Sequence, residues 1–131
     1  MKINFKDKKD VSFKIGVGGY LEPEKRHLLK LFFGFLDRKI QKDYKTKNIK
    51  ILIRDDGPYN CGHDASVYFY NNGYIIHHYY GDEGQKAVAE EADIYVFFKD
   101  KGSAIEPPTA RNLVLIEKWG INYGKSWSIY I

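Results

Sequence analysis

The chain has 131 residues, 44% of them hydrophobic and 29% charged, which suits one domain with a buried core and excludes a disordered chain or two comfortable cores. Its formal charge of +4 favours phosphate-bearing partners, yet the lysines are dispersed and no arginine cluster or recognition motif appears, so nucleic acid is not expected. Cys61 is the single cysteine, which excludes an internal disulfide and a Cys/His zinc spacing; the polar N-terminus and the lack of a long apolar stretch point to a cytoplasmic protein without membrane contact.

Residues 3–5 are a short strand candidate, followed by a charged turn over 7–10. Residues 11–17 alternate in polarity and run into Gly18-Gly19-Tyr20, which reads as a strand emptying into a tight loop. Glu22-Pro23-Glu24 opens a helix, because proline is preset for a first turn and acids favour its positive end. That helix is expected over 23–42, with Leu28, Leu29, Leu31, Phe32, Phe35, Leu36 and Ile40 as a broad apolar face. The densest run of positive charge, residues 38–50, falls at its end, where cations complement the dipole.

Residues 49–53 (IKILI) are a buried central strand leading into a loop with Asp56-Gly57, Asn60, Cys61 and Gly62-His63-Asp64. Residues 66–80 admit two readings. Local propensity favours a β-hairpin closed by Asn72-Gly73; the order of elements favours a short helix from Asp64 to Asn71 and then a strand over 74–79, and that second reading is adopted. A short helix over 84–92 and a buried strand over 93–98 follow, then a loop over 99–108. A helix is expected over 109–119, stopped by Gly120, and a final strand over 126–131. Strands alternating with helices predict a Rossmann-like three-layer α/β domain over 1–131 with a mostly parallel sheet, an antiparallel N-terminal strand remaining open. In such sheets ligands lie at the carboxyl ends of the strands.

Three strand-end loops carry ligand-type residues. Gly18-Gly19-Tyr20 would let backbone amides approach a phosphate. Asp56, Gly57, Asn60, Gly62, His63 and Asp64 could cradle an anion at a helix start, with Asp64 equally readable as a plain N-cap. Lys101, Gly102, Ser103 and Glu106 could hold a phosphate and a ribose, with Arg111 adding charge. His77 and His78 are adjacent on a strand and so face opposite sides, which argues against a shared metal. Cys61 has no identifiable histidine partner that would make it a nucleophile. Sixteen per cent of the residues are aromatic, eleven of them tyrosines, which suits stacking on a base or packing between subunits and is equally what an AT-rich genome produces.

The order of these loops resembles the SLOG superfamily, the nucleotide-binding Rossmann-like group that includes YspA-like proteins, DNA-processing proteins and the Lonely Guy phosphoribohydrolases. The resemblance covers residues 14–131 and rests on Gly18-Gly19-Tyr20, on Asp56-Gly57 with Gly62-His63-Asp64, and on Glu91-Ala92-Asp93-Ile94 followed by Gly102-Ser103. The second loop is longer than the family's, Ser103 stands where threonine is usual, and only Gly102, Ser103 and Glu106 match the Lonely Guy motif. What the resemblance implies is a sensor or sequestering protein for a nucleotide or nucleotide-derived signal, by analogy in defence or counter-defence. It is expected to act as a homodimer or higher homo-oligomer pairing apolar helix faces, with no cofactor and no metal. One alternative is a nucleoside-monophosphate N-glycosidase with Glu106 as its catalytic residue. The other is a protein-interaction module such as an inhibitor or immunity protein.

Overall fold

The computed structural model of the chain describes residues 13–55, 60–100 and 104–116. Five strands form one sheet: β1 (Lys14–Tyr20), β2 (Lys50–Arg54), β3 (Ile75–Tyr79), β4 (Ile94–Lys99) and β5 (Leu113–Ile116). They are ordered β3-β2-β1-β4-β5 and every pairing is parallel. Three helices complete a three-layer Rossmann-like domain: α1 (Leu29–Tyr44), α2 (Cys61–Asn71) and α3 (Asp82–Glu91). The order reverses between β1 and β4, so the switch point lies outside their carboxyl ends. Among the described residues, no helix is long and apolar enough to cross a membrane. The strand candidate over 3–5 and the final strand over 126–131 lie outside the described residues.

Two-residue alternation assigns each strand side chain to a layer. Ile15, Val17, Ile51, Ile53, Val96 and Phe98 face α1 and α2, where Phe32, Phe33, Leu36 and Phe69 complete the larger core. Phe33 sits at the centre of an aromatic cluster, edge-on to Phe98 at 6.0 Å and tilted against Phe69 at 5.5 Å. Leu52, Tyr95 and Phe97 face α3 and meet Val88, Ala89 and Ala92. β1 has no side chain on that face at Gly16 or Gly18. A Cβ on Gly16 would lie 2.7 Å from the Tyr95 ring, and one on Gly18 would lie 2.2 Å from the Tyr95 hydroxyl. The Tyr95 ring therefore lies across β1 and takes the space of two side chains.

The structure bears out the helix-then-strand reading and changes other expectations. The residues 66–80 are helix then strand, because β3 pairs in parallel with β2 and a parallel pair needs a crossover rather than a tight turn. Gly73, at φ +89, ends the crossover helix. The first helix divides into a 3-10 segment, Pro23–Leu28, and α1, and its apolar face is narrower than expected: Leu31 is 63% and Phe35 44% exposed. α1 closes on Lys45 in the left-handed conformation, its N–H donating to the Gln41 carbonyl. The helix expected over 109–119 is corrected. Leu113–Ile116 is instead an edge strand in register with Tyr95 to Phe98, and Val114 and Ile116 bury into the α1 layer. A four-residue apolar run satisfies both periodicities, and pairing with β4 decides between them.

Candidate functional site

The three strand-end segments converge as far as they are described. Tyr20, the last residue of β1, bridges Asn60 ahead of α2. The amide of Glu22 donates to the Asp100 carboxylate at 3.2 Å, joining the segments after β1 and β4. Gly18 and Gly19 lie inside β1 rather than in a loop beyond it, opposite Phe97 and Phe98. Gly19 is at φ +103, and a Cβ there would lie 2.0 Å from the Phe98 carbonyl oxygen, so β1 and β4 could not meet with any larger residue. Gly62 has a comparable role. Its absent Cβ lets α2 settle on the strand ends, 2.9 Å from the Arg54 carbonyl oxygen and 3.2 Å from that of Val17.

The helix starts bind their own chain. Asn60 caps α2, its side-chain oxygen accepting from the Gly62 amide at 2.6 Å and its carbonyl accepting from the His63 amide at 3.0 Å. Asp64 is therefore not the cap. It holds Arg26 in a two-point ion pair, Nε to Oδ2 at 2.6 Å and the terminal nitrogen to Oδ1 at 2.5 Å, tying the 3-10 segment to α2. The 3-10 segment begins beside Glu22 and Glu24, and α3 begins with Asp82 and Glu83. These acids answer the positive helix ends that a phosphate would otherwise use.

His63 Nδ1 lies 2.8 Å from one oxygen of Asp55, and His78 Nδ1 lies 3.2 Å from the other. The Tyr80 ring stacks on His78 at 6.3 Å. This arrangement fastens the end of β2 to α2 and to β3. His77 stands on the other face of β3, as the alternation requires. Among the described residues, no group of three His, Cys, Asp or Glu side chains could hold a metal. Cys61 is fully buried, and burial, reinforced by Asp64, pushes its thiol well up, so it is held neutral.

The α3 face of the same strand ends has a different character. Tyr20, Arg54, Tyr95 and Lys99 all stand on it by alternation, with Tyr20 and Lys99 in register. Lys99 is 7% exposed, and its ammonium has no hydrogen-bond or ion-pair partner among the described residues. Tyr95 is 1% exposed and its hydroxyl likewise has no partner among them. Burial raises the Tyr95 phenol, and the Arg54 charge opposes that shift only in part, so it is a proton donor at neutral pH. Arg54 reaches Gln85 at 3.5 Å and the rim residue Asp82 at 3.8 Å.

Tyr20, Asn60, Gly62 and His63 thus gather at the strand ends. Arg111 does not: its guanidinium reaches Asp93 at 3.7 Å and the Glu90 carbonyl at 3.5 Å, at the opposite, amino end of β4. Glu106 is exposed in the 104–112 connection, which contains no helix or strand. Asp56, Gly57, Lys101, Gly102 and Ser103 lie outside the described residues. Lys99, Arg54, Tyr95, Asp55 and His78 were not anticipated as site residues. A lysine closing an otherwise apolar strand is the signal for Lys99, and the arginine ending IKILI is the signal for Arg54. Compared with protein-family models, with curated proteins and with solved structures, the chain gives no match in any of the three.

Proposed function

We propose that the chain binds, without transforming, a nucleotide-like small molecule bearing phosphate, in the crevice outside the carboxyl ends of β1 and β4. The observation that carries this reading is Lys99. The residue is 7% exposed, and its side chain forms no hydrogen bond or ion pair among the described residues, so an anion arriving there meets a cation with no competing partner. Its place at the switch point of a parallel sheet is where this architecture takes ligands. Tyr20, 39% exposed and in register with Lys99, offers a ring on which a base can stack. The resemblance to SLOG proteins suggests the same ligand class, and a signalling or sequestering role would follow from it.

Binding is favoured over hydrolysis by two features. Glu106 sits exposed on a connection without secondary structure, and the Cys61 thiol is buried and neutral. An interaction module is less favoured because residues 66–70 are helical rather than half of a tyrosine ribbon. A homodimer would pair through the exposed Leu31 and Phe35 of α1. The test is a thermal-shift screen of wild type and Lys99→Met against nucleoside mono- and diphosphates, ADP-ribose isomers and cyclic nucleotides. A ligand at a hundred times its Kd adds about 2.7 kcal/mol to wild type. The Lys99→Met protein should show a much smaller shift at the same concentration. A wild type unmoved by every phosphate-bearing compound would overturn the proposal.

A further inference from the structure

We infer that Tyr95, Arg54 and Lys99 form a subsite for a terminal, dianionic phosphoryl group on the α3 face of the sheet, beside Gly18. This rests on the reading of the crevice as a ligand site and states which face of it takes the charge, and through which atoms.

The Tyr95 hydroxyl has no packing role that would account for it. Phenylalanine would fill the space across β1 as well as Tyr95 does, and a buried hydroxyl without a partner is destabilising. The fold makes room for that oxygen at a definite point: it occupies the position of the missing Gly18 side chain, 2.2 Å from where a Cβ would be. The oxygen is thereby carried from β4 onto β1, toward the carboxyl ends. Arg54, one residue past the Ile53 that pairs with Val17, stands on the neighbouring strand at that level, and its charge acts on the Tyr95 phenol. Lys99 stands two residues beyond Phe97, the partner of Gly18. One neutral donor and two cations, from β4 and β2, therefore flank the same stretch of β1.

The chemistry of the set selects the ligand group. Two cations match two negative charges, and three donor side chains match three terminal oxygens, which a phosphate monoester provides and a carboxylate does not. The helix starts do not compete for this group. The amides of Gly62 and His63 are occupied by Asn60, and the segment after β1 and the first turn of α3 carry Glu22, Glu24, Asp82 and Glu83. Among the described residues, Arg54 pairs with Asp82 at the rim of the subsite at 3.8 Å.

Calorimetric titration of the full chain and of Tyr95→Phe and Lys99→Met tests the inference, with inorganic phosphate, adenosine monophosphate, its guanosine counterpart and the two free nucleosides as probes. Loss of the Tyr95 hydroxyl should weaken phosphate and monophosphate binding about tenfold, as expected for a hydrogen bond to a charged group. Free-nucleoside binding, where present, should be unchanged in Tyr95→Phe. The unliganded Tyr95→Phe protein should melt no lower than wild type, which shows that the loss is not unfolding. A wild type that binds monophosphate, with equal affinity in Tyr95→Phe, would overturn the subsite while leaving the proposed function standing. Phosphate binding that depends on Tyr95, with no preference for any nucleotide over phosphate itself, would uphold the subsite and remove the nucleotide reading. Binding of neither phosphate nor monophosphate would remove both.

Discussion

Replacing Gly18 by alanine puts a methyl carbon 2.2 Å from the Tyr95 hydroxyl oxygen, 3.0 Å from Cζ and 3.3 Å from Cε1. Tyr95 is 1% exposed and held between α3 and the sheet, so the ring cannot simply swing away. Overpacking of this kind costs about 1–3 kcal/mol. In a Tyr95→Phe background the oxygen is gone and the nearest atom is Cζ at 3.0 Å, which a shift of a few tenths of an ångström relieves. The Gly18→Ala cost should then fall by about 1–2 kcal/mol, a coupling in the range of directly touching residues. Gly16→Ala is the internal control. Its methyl would lie 2.7 Å from Tyr95 Cδ1, 2.9 Å from Val88 and 3.0 Å from Ala92, atoms that Tyr95→Phe leaves in place. Urea unfolding of the two double-mutant cycles, read at constant slope, gives both couplings. Additivity of Gly18→Ala and Tyr95→Phe within about 0.5 kcal/mol would refute the claim that the tyrosine oxygen is why β1 carries glycine there.

Asn60→Ala removes the α2 cap and should cost about 1 kcal/mol in the same unfolding assay, whereas Asp64→Asn should leave the helix start capped and weaken only its tie to Arg26. The Cys61 thiol, buried and held neutral, should react with a disulfide reagent at pH 8 only as fast as the protein opens, so that added urea accelerates labelling steeply. The Tyr79 phenol is pushed up to about 12 by burial and by its hydrogen bond to Glu91. Because the folded value lies above the ordinary value of 10.0, its contribution to stability is complete below pH 10.0 and is lost as pH rises through about 12. Thermal midpoints measured from pH 9 to about pH 12 should fall less steeply in Tyr79→Phe than in wild type, and an unchanged slope would contradict the assignment.

What could be read from the sequence follows from which signals are local. The strands IKILI and DIYVFF are apolar on both faces, and only a parallel sheet covered on both sides buries such runs, so β2 and β4 were legible, as was the layered architecture. The helix at Cys61–Asn71 contradicts its tyrosine-rich local preference. It was legible only through the order of elements, because a parallel β3 requires it. Leu113–Ile116 went the other way: its spacing fits a helical face, and only the open edge of β4 makes it a strand. In the site, Gly18, Gly19 and Gly62 read from the sequence as places where a phosphate could approach the backbone. What comes close in the fold is a tyrosine ring, a neighbouring strand and a helix start. The pairings of Asp64 with Arg26, and of Asp55 with His63 and His78, span loops and crossovers and leave no spacing to read.

The same facts bear on how a ligand would lie in the crevice. Glycine-rich strand ends suggest an anion cradled by backbone amides at a helix start. Here the α2 amides are taken by Asn60, and the Glu22 amide donates to the Asp100 carboxylate between the segments after β1 and β4. On the α3 side the same strands present Arg54 and the buried Lys99. On the proposed reading, a nucleotide places its phosphate beside Arg54 and Lys99 and its ring system against Tyr20, which shares that face of the sheet. Reversing the charge at Lys99, with Lys99→Glu, should then abolish binding of monophosphates. Neutralising Asp100, with Asp100→Asn, should strengthen binding modestly, because it removes a repelling carboxylate next to Lys99 in the chain without touching the donors.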